Sequence, residues 1–191
     1  FPPEVTEYLS GFSRRHSSDE VVGYIERAES LKVLVVGEAI IDEYQYCEAI
    51  GKSSKEPVLA VKSLWSEMFA GGIIAVGNHA ASFCDHVGLS TLLGEEDSQE
   101  DFIRQELNAS IETTFLARRD SPTIVKRRYI DNYFLTKLWE VYEINEEALH
   151  PADNELLCAK LIEELPKYDV VIVVDFGHSM LSNEAIEFLC S

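Results

Sequence analysis

The sequence predicts an α/β fold built on a largely parallel sheet, with a smaller accessory sheet beside it. Three observations carry the prediction. Two apolar runs rich in β-branched residues, within "LKVLVVG" and "DVVIVVDFG", stop at Gly37 and at Asp175-Phe176-Gly177. Such runs are typical of strands buried on both faces of a parallel sheet. From residue 32 onward, strand-like and helix-like segments alternate, the pattern of βα units. Between them lie longer segments of looser alternation, suited to strands covered on one face only.

The elements follow in order. Residues 3–15 and 18–30 read as two helices. Ser17 or Ser18 caps the second, and acidic residues occupy its first turn. The run to Val36, closed by Gly37, is the first buried strand. "DEYQYCEAIG" and "PVLAVKSLWSEM" follow as accessory strands. "AGGIIAVGNHAASFCDHVG" opens on a glycine pair and reads as a small-residue helix ending near Gly88. "STLLGEE" is a short strand and "SQEDFIRQELNAS" an amphipathic helix. "IETTFLAR", "TIVKRRYID" and "YFLTKLWEVYEI" are strands, the last two joined around Asp131-Asn132. A helix beginning near Pro151, the second buried strand and the start of another helix complete the chain.

Bulk properties narrow the function. The 191 residues allow one domain with a real core, or a domain and an appendage. A net charge of −18 repels phosphate backbones and argues against general nucleic-acid binding. A local basic pocket for a small anion stays compatible with it. No apolar stretch reaches the roughly 18–20 residues of a membrane-spanning helix, and the N-terminus lacks a signal-peptide layout. The absence of an initiator Met, and a last helix without a stop signal, predict a chain cut from a longer one. Cys47, Cys84, Cys158 and Cys190 lie far apart with no CxxC spacing. Scattered buried thiols in a reducing cytoplasm are expected, not a zinc site or redox pair.

Several motifs fail on context. "AIGKSS" ends like a P-loop, but the position of the first P-loop glycine is Tyr46. "VVGEAIID" has one glycine where a dinucleotide site needs three, so a Rossmann-type reading rests on "KVLVVG" alone. Asp175-Phe176-Gly177 spells the magnesium motif of protein kinases, yet the upstream motifs of that fold are absent. His79, His86, His150 and His178 are not spaced as metal ligands, and no metal site is predicted.

What remains is a constellation at strand ends, where α/β sites lie. Gly37 and Asp42 follow the first strand, Gly71-Gly72 opens a helix, and Asp175-Phe176-Gly177-His178 follows the last strand. Two carboxylates can clasp the hydroxyls of a polyol, and a glycine pair admits close backbone approach. Each feature also has a local reading: a cap for Asp42, a turn for Gly71-Gly72, an N-cap for Asp175.

Taken together, "VLVVGEAIIDEY", "SSKEPVLAVK", "AGGIIAVGNHAASF", "PTIVKRRYID" and "VVIVVDFGHSML" resemble the ribokinase-like, or PfkB-type, carbohydrate kinases. Within them, the kinase domain of bacterial heptose-phosphate kinase/nucleotidyltransferase enzymes is most similar. The resemblance implies a three-layer α/β/α sheet, present here in part, with a small β-lid. It places residues 31–191 in the N-terminal part of the kinase domain, with lid strands at about 43–66 and 111–142. Residues 1–30 then form a helical linker from a preceding domain. By the same resemblance, Asp42, Gly71 and Gly72 bind the sugar, and Asp175 and Gly177 lie on the substrate side of phosphoryl transfer. Lys126 and Arg128, alternate residues on a lid strand, would meet a phosphate on the sugar, with Arg127 pointing away. The alternative for this triplet is a solvated lid edge.

ATP and magnesium are the implied cofactors. A sugar or sugar phosphate is the implied ligand, and a homodimer through the lid the implied assembly. The catalytic base is expected beyond Ser191, so the chain alone is expected to be a poor kinase. Three positions depart from the family: Glu38 where Asp is usual, Ala75 where Asn is usual, and Ser179 where Gly is usual. They motivate a second reading, a degenerate non-catalytic module that binds a sugar or dimerises.

Overall fold

The computed structural model describes residues 1–190. Two helices come first, α1 (Pro3–Arg15) and α2 (Ser18–Ala28), neither with a buried residue. Ser17 caps α2 by accepting the Glu20 amide at 3.1 Å. Then follow β1 (Lys32–Gly37), β2 (Ala39–Lys52), β3 (Leu59–Gly72), α3 (Ile73–Ala80), β4 (His86–Gly94), α4 (Glu100–Glu106) and β5 (Glu112–Arg118). The chain continues through β6 (Ile124–Asp131), β7 (Lys137–Glu143), α5 (Pro151–Glu164), β8 (Val170–Val174) and α6 (Asn183–Leu189).

The strands form two sheets of four. One has the order β5-β4-β1-β8 and is parallel throughout. The other has the order β3-β2-β6-β7, antiparallel except for the β2–β6 pair. The parallel sheet sits between two apolar layers. On one side Val33 and Val35 pack with Ile73 and Ile74 of α3 and Ile103 of α4. On the other, Leu34 and Val36 pack with Leu157 and Leu161 of α5 and with Ala185 of α6. The alternation along β1 therefore serves two cores, which is why the run reads as unbroken. The first core continues into the second sheet through Ala39, Ile41 and Val125. The lid is thus rooted in the same core that holds α3, while its far end, Glu48–Lys52, is exposed.

Four expectations need correction. Residues 111–118 do not belong to the lid: β5 closes one edge of the parallel sheet, paired with β4. Its moderate alternation reflects that edge position, half-buried along most of its length. The first two lid strands are longer than 43–66, reaching from Ala39 to Gly72. The helix after the glycine pair ends at Ala80, and Gly88 lies within β4. That glycine is no stop signal: a Cβ there would run into the Tyr168 hydroxyl. Finally, β8 is not buried on both faces, because it is the other edge strand, and Val170 and Val173 are exposed.

Candidate functional site

The crevice begins where β1 ends. A Cβ at Gly37 would collide with the Val174 carbonyl, so glycine lets β1 and β8 meet closely. The next residue ties three elements together. The Glu38 amide donates to Val174 O at 3.3 Å, and the Glu38 carbonyl accepts the Ile73 amide at 3.0 Å. Its carboxylate accepts amides of Phe176 and His178 at 2.7 and 2.8 Å. Ala39 donates to Thr91 Oγ1 at 3.2 Å, fastening the start of β2 to β4.

Asp42 stands four residues into β2 counting Ala39 as the first, in register with Phe69 on β3 and Lys126 on β6. It is a mid-strand residue, not a cap. Paired residues share a face of a sheet. One face therefore carries Asp42, Tyr44 and Tyr46, with Phe69, Glu67 and Trp65 on one flank and Lys126 and Arg128 on the other. Asp42, Tyr44, Tyr46, Glu67 and Phe69 line an open pocket of about 370 Å³. The Tyr44 and Phe69 rings meet edge-on at 5.6 Å, and Tyr46 stacks on Trp65 at 3.8 Å. The Tyr46 hydroxyl donates to Glu67 at 2.6 Å, which pushes the phenol pKa up.

The two oxygens of Asp42 have different surroundings. Oδ1 is ion-paired with Arg128, whose Nε also reaches Glu140 at 3.2 Å. Burial opposes the Arg128 charge, but Asp42, Tyr44 and Glu140 more than offset it, and its pKa is raised. Oδ2 faces Gly71, 2.5 Å from where a Cβ would stand. Glycine at 71 thus leaves the space in front of this oxygen open. Gly72, at φ 57°, turns the chain from β3 into α3; a Cβ there would strike the Glu38 carbonyl. The glycine pair thus makes the turn into α3 and admits the close approach of the Asp42 carboxylate and the Glu38 carbonyl.

Lys126 and Arg128 do share a face, as the alternation predicts. Arg127 points away and pairs with Glu143 at 2.7 Å and Glu43 at 2.9 Å, which raises its pKa. Arg128 is committed to carboxylates. Lys126 has no carboxylate partner among the described residues; its Nζ lies 5.6 Å from the centre of the Tyr142 ring. Glu140, held by Lys137, Tyr142 and Arg128, has its pKa lowered to about 2.

Asp175 accepts the Gly177 amide at 2.8 Å, a local turn with Gly177 at φ 78°. It is not a helix cap; Ser182 caps α6, accepting the Ala185 amide at 3.0 Å. Asp42, Gly71, Lys126 and Arg128 share one face of the second sheet, while Gly72, paired with Ala39, lies at the turn behind it. Asp175 and Gly177 join it through Glu38, whose carbonyl abuts Gly72 and whose carboxylate holds their loop. Ala75, where the family usually has Asn, is exposed on α3. Asn78 does not replace it, since its side chain bonds Glu106 O and the Asn108 amide, both at 2.8 Å. Sequence reasoning missed the aromatic face. The period-two series Asp42, Tyr44, Tyr46 and Trp65, Glu67, Phe69 was the available signal. Among the described residues, no cluster of three or more His, Cys, Asp or Glu side chains is arranged to hold a metal ion.

Comparison with known proteins supports this architecture. No family model matches the chain. The bifunctional protein HldE of Aeromonas hydrophila is 30% identical over 156 residues, covering 81% of this chain and 32% of the relative. HldE of Chromohalobacter salexigens is 32% identical over 156 residues, again 81% and 32%. The chain thus spans about a third of the length of the curated relatives it matches. Phosphofructokinase-2 from Escherichia coli, solved with fructose-6-phosphate, superposes with a TM-score of 0.57 at 10% identity. The match covers 84% of this chain and 50% of that one. The chain is related in sequence to part of the HldE proteins, and its fold is that of the ribokinase-like kinases.

Proposed function

We propose that this chain, with its ribokinase-like fold and its kinship to part of HldE, is the sugar-binding part of an ATP-dependent carbohydrate kinase. The substrate class is a sugar or sugar phosphate. The setting is nucleotide-activated sugar synthesis, with a nucleotidyltransferase in the same protein. One observation carries the reading: the Asp42 carboxylate has one oxygen fixed by Arg128 and the other facing the space that Gly71 leaves open.

A carboxylate oxygen so placed accepts hydrogen bonds from sugar hydroxyls. The Arg128 pair fixes its direction, so little side-chain entropy is lost on binding. Tyr44 and Phe69 offer apolar surface to the carbon faces of a sugar ring. Lys126, unpaired and on the same face, is the cation for a phosphate carried by the sugar. Magnesium and ATP are the cofactors of the proposed reaction. Among the described residues, no group of three or more His, Cys, Asp or Glu side chains is arranged to hold the metal. The base that activates the sugar hydroxyl is expected beyond residue 191.

A cytoplasmic location and a homodimer through the lid belong to the same proposal. The absence of disulfides and exposed apolar residues at the lid end, Leu64, Tyr133 and Phe134, support them. Isothermal titration of the protein against a panel of hexose and heptose phosphates tests the reading. Saturable binding to at least one member is expected, and silence across the panel refutes it.

A further inference from the structure

The loop after β8 is organised around a buried carboxylate. The amides of Phe176, His178 and Met180 converge on Glu38 at 2.7, 2.8 and 3.4 Å. Between them, Gly177 and Ser179 have φ of 78° and 65°. Amides that point one way around left-handed residues form a nest, a concavity suited to an anion. Here the anion is supplied from within: Glu38 is 3% exposed. Arg118, also buried, approaches from the other side. It donates from Nη1 to His178 O at 3.1 Å and from Nη2 to Glu147 O at 2.7 Å.

The arrangement explains how a non-glycine residue persists at 179. A left-handed serine costs about 1–2 kcal/mol. Its hydroxyl donates to Glu146 O at 2.9 Å, and the amides on either side of it, His178 and Met180, are both taken by Glu38. The amide of Gly177 goes to Asp175. The loop therefore has four of its amides committed, three of them to one side chain.

We propose that Glu38 is a positioning residue: its carboxylate fixes the conformation of the 175–180 loop and thereby the placement of Asp175 and Gly177 at the sugar crevice. The placement of the loop stands on the geometry alone; its consequence for ligand rests on the sugar-kinase reading. Glutamine keeps the shape but turns an amide donor toward backbone donors. Aspartate keeps the charge beside Arg118 but falls short by about 1.5 Å. Alanine empties the nest and leaves room for a small carboxylate.

The test combines amide hydrogen exchange with calorimetric titration of the same sugar-phosphate panel. It uses the whole chain as wild type, Glu38→Gln, and Glu38→Ala with and without sodium formate. Exchange at Phe176, His178 and Met180 should rise about 10-fold or more in both variants, while the amides of β1 and β4 keep their protection. Formate should restore protection in Glu38→Ala, and sugar-phosphate affinity should fall and recover in parallel. Unchanged exchange at the three amides, or a Glu38→Ala loop indifferent to formate, overturns the assignment. If either variant fails to fold, Glu38→Asp carries the same exchange readout with the charge retained. Loop exchange that behaves as expected, in a wild-type chain that binds none of the panel, upholds the positioning role and sinks the sugar-kinase reading instead.

Discussion

Gly71→Ala separates the site from the scaffold. Gly71 has no positive φ, so alanine suits its backbone. The added Cβ would stand 2.5 Å from Asp42 Oδ2 and 3.2 Å from Ile40 O, where ordinary contact begins at 3.4 Å. The carboxylate, the free end of a side chain on the sheet surface, is the part that yields, and by roughly 1 Å. The fold should lose about 1 kcal/mol, the low end for an overpacked site with a movable neighbour. The effect on ligand should be larger. Displacing this oxygen by about 1 Å breaks a hydrogen bond to a charged acceptor, a loss of about 1.5–3 kcal/mol, or roughly 10- to 100-fold in affinity. Urea denaturation measures the first quantity, and titration with the sugar phosphate bound by wild type measures the second. A Gly71→Ala protein that binds like wild type would refute the claim that Asp42 Oδ2 faces the ligand.

Other outcomes follow from the same geometry. Gly72→Ala adds a side chain at φ 57° against the Glu38 carbonyl, and should cost about 3 kcal/mol or more in denaturant unfolding. Replacing Ser179 tests the left-handed turn: Ser179→Gly should exceed Ser179→Ala in stability by about 1–2 kcal/mol, because both lose the bond to Glu146 and only glycine relieves the strain. Lys137 and Tyr142 depress the Glu140 pKa from its ordinary 4.5 to about 2, so its contribution to the lid is present above pH 4.5. It is lost as the pH falls toward 2, and carboxyl NMR resonances of the lid should report that window. Lys126→Ala should weaken binding of a sugar phosphate while leaving affinity for the unphosphorylated sugar unchanged, by calorimetry.

Much of the fold was legible because the parallel sheet writes itself into the sequence. Leu34 and Val36 serve one core while Val33 and Val35 serve the other, so β1 has no polar side to interrupt the run. The same logic misled at β8, whose run is equally apolar but which lies at a sheet edge. Apolar composition records what a strand can bury, not which neighbours it has. The start of the expected 111–142 lid segment belongs instead to the parallel sheet, because alternation alone cannot tell a sheet edge from a one-sided lid strand. In the site, alternation correctly put Lys126 and Arg128 together and Arg127 apart. It did not reveal that Arg128 is engaged by Asp42, since that contact spans 86 residues and depends on parallel pairing of β2 with β6. Glu38 stood out only as a departure from a pattern. Its work on the 175–180 loop is done through backbone amides, which leave no trace in residue identity.

The most direct test of the central claim is phosphoryl transfer from ATP to the sugar-phosphate panel by the full-length protein, with Asp42→Ala measured alongside. The account predicts transfer to at least one sugar, reduced about 100-fold or more in the variant. Equal turnover in the two proteins, or no transfer to any sugar by wild type, would contradict it.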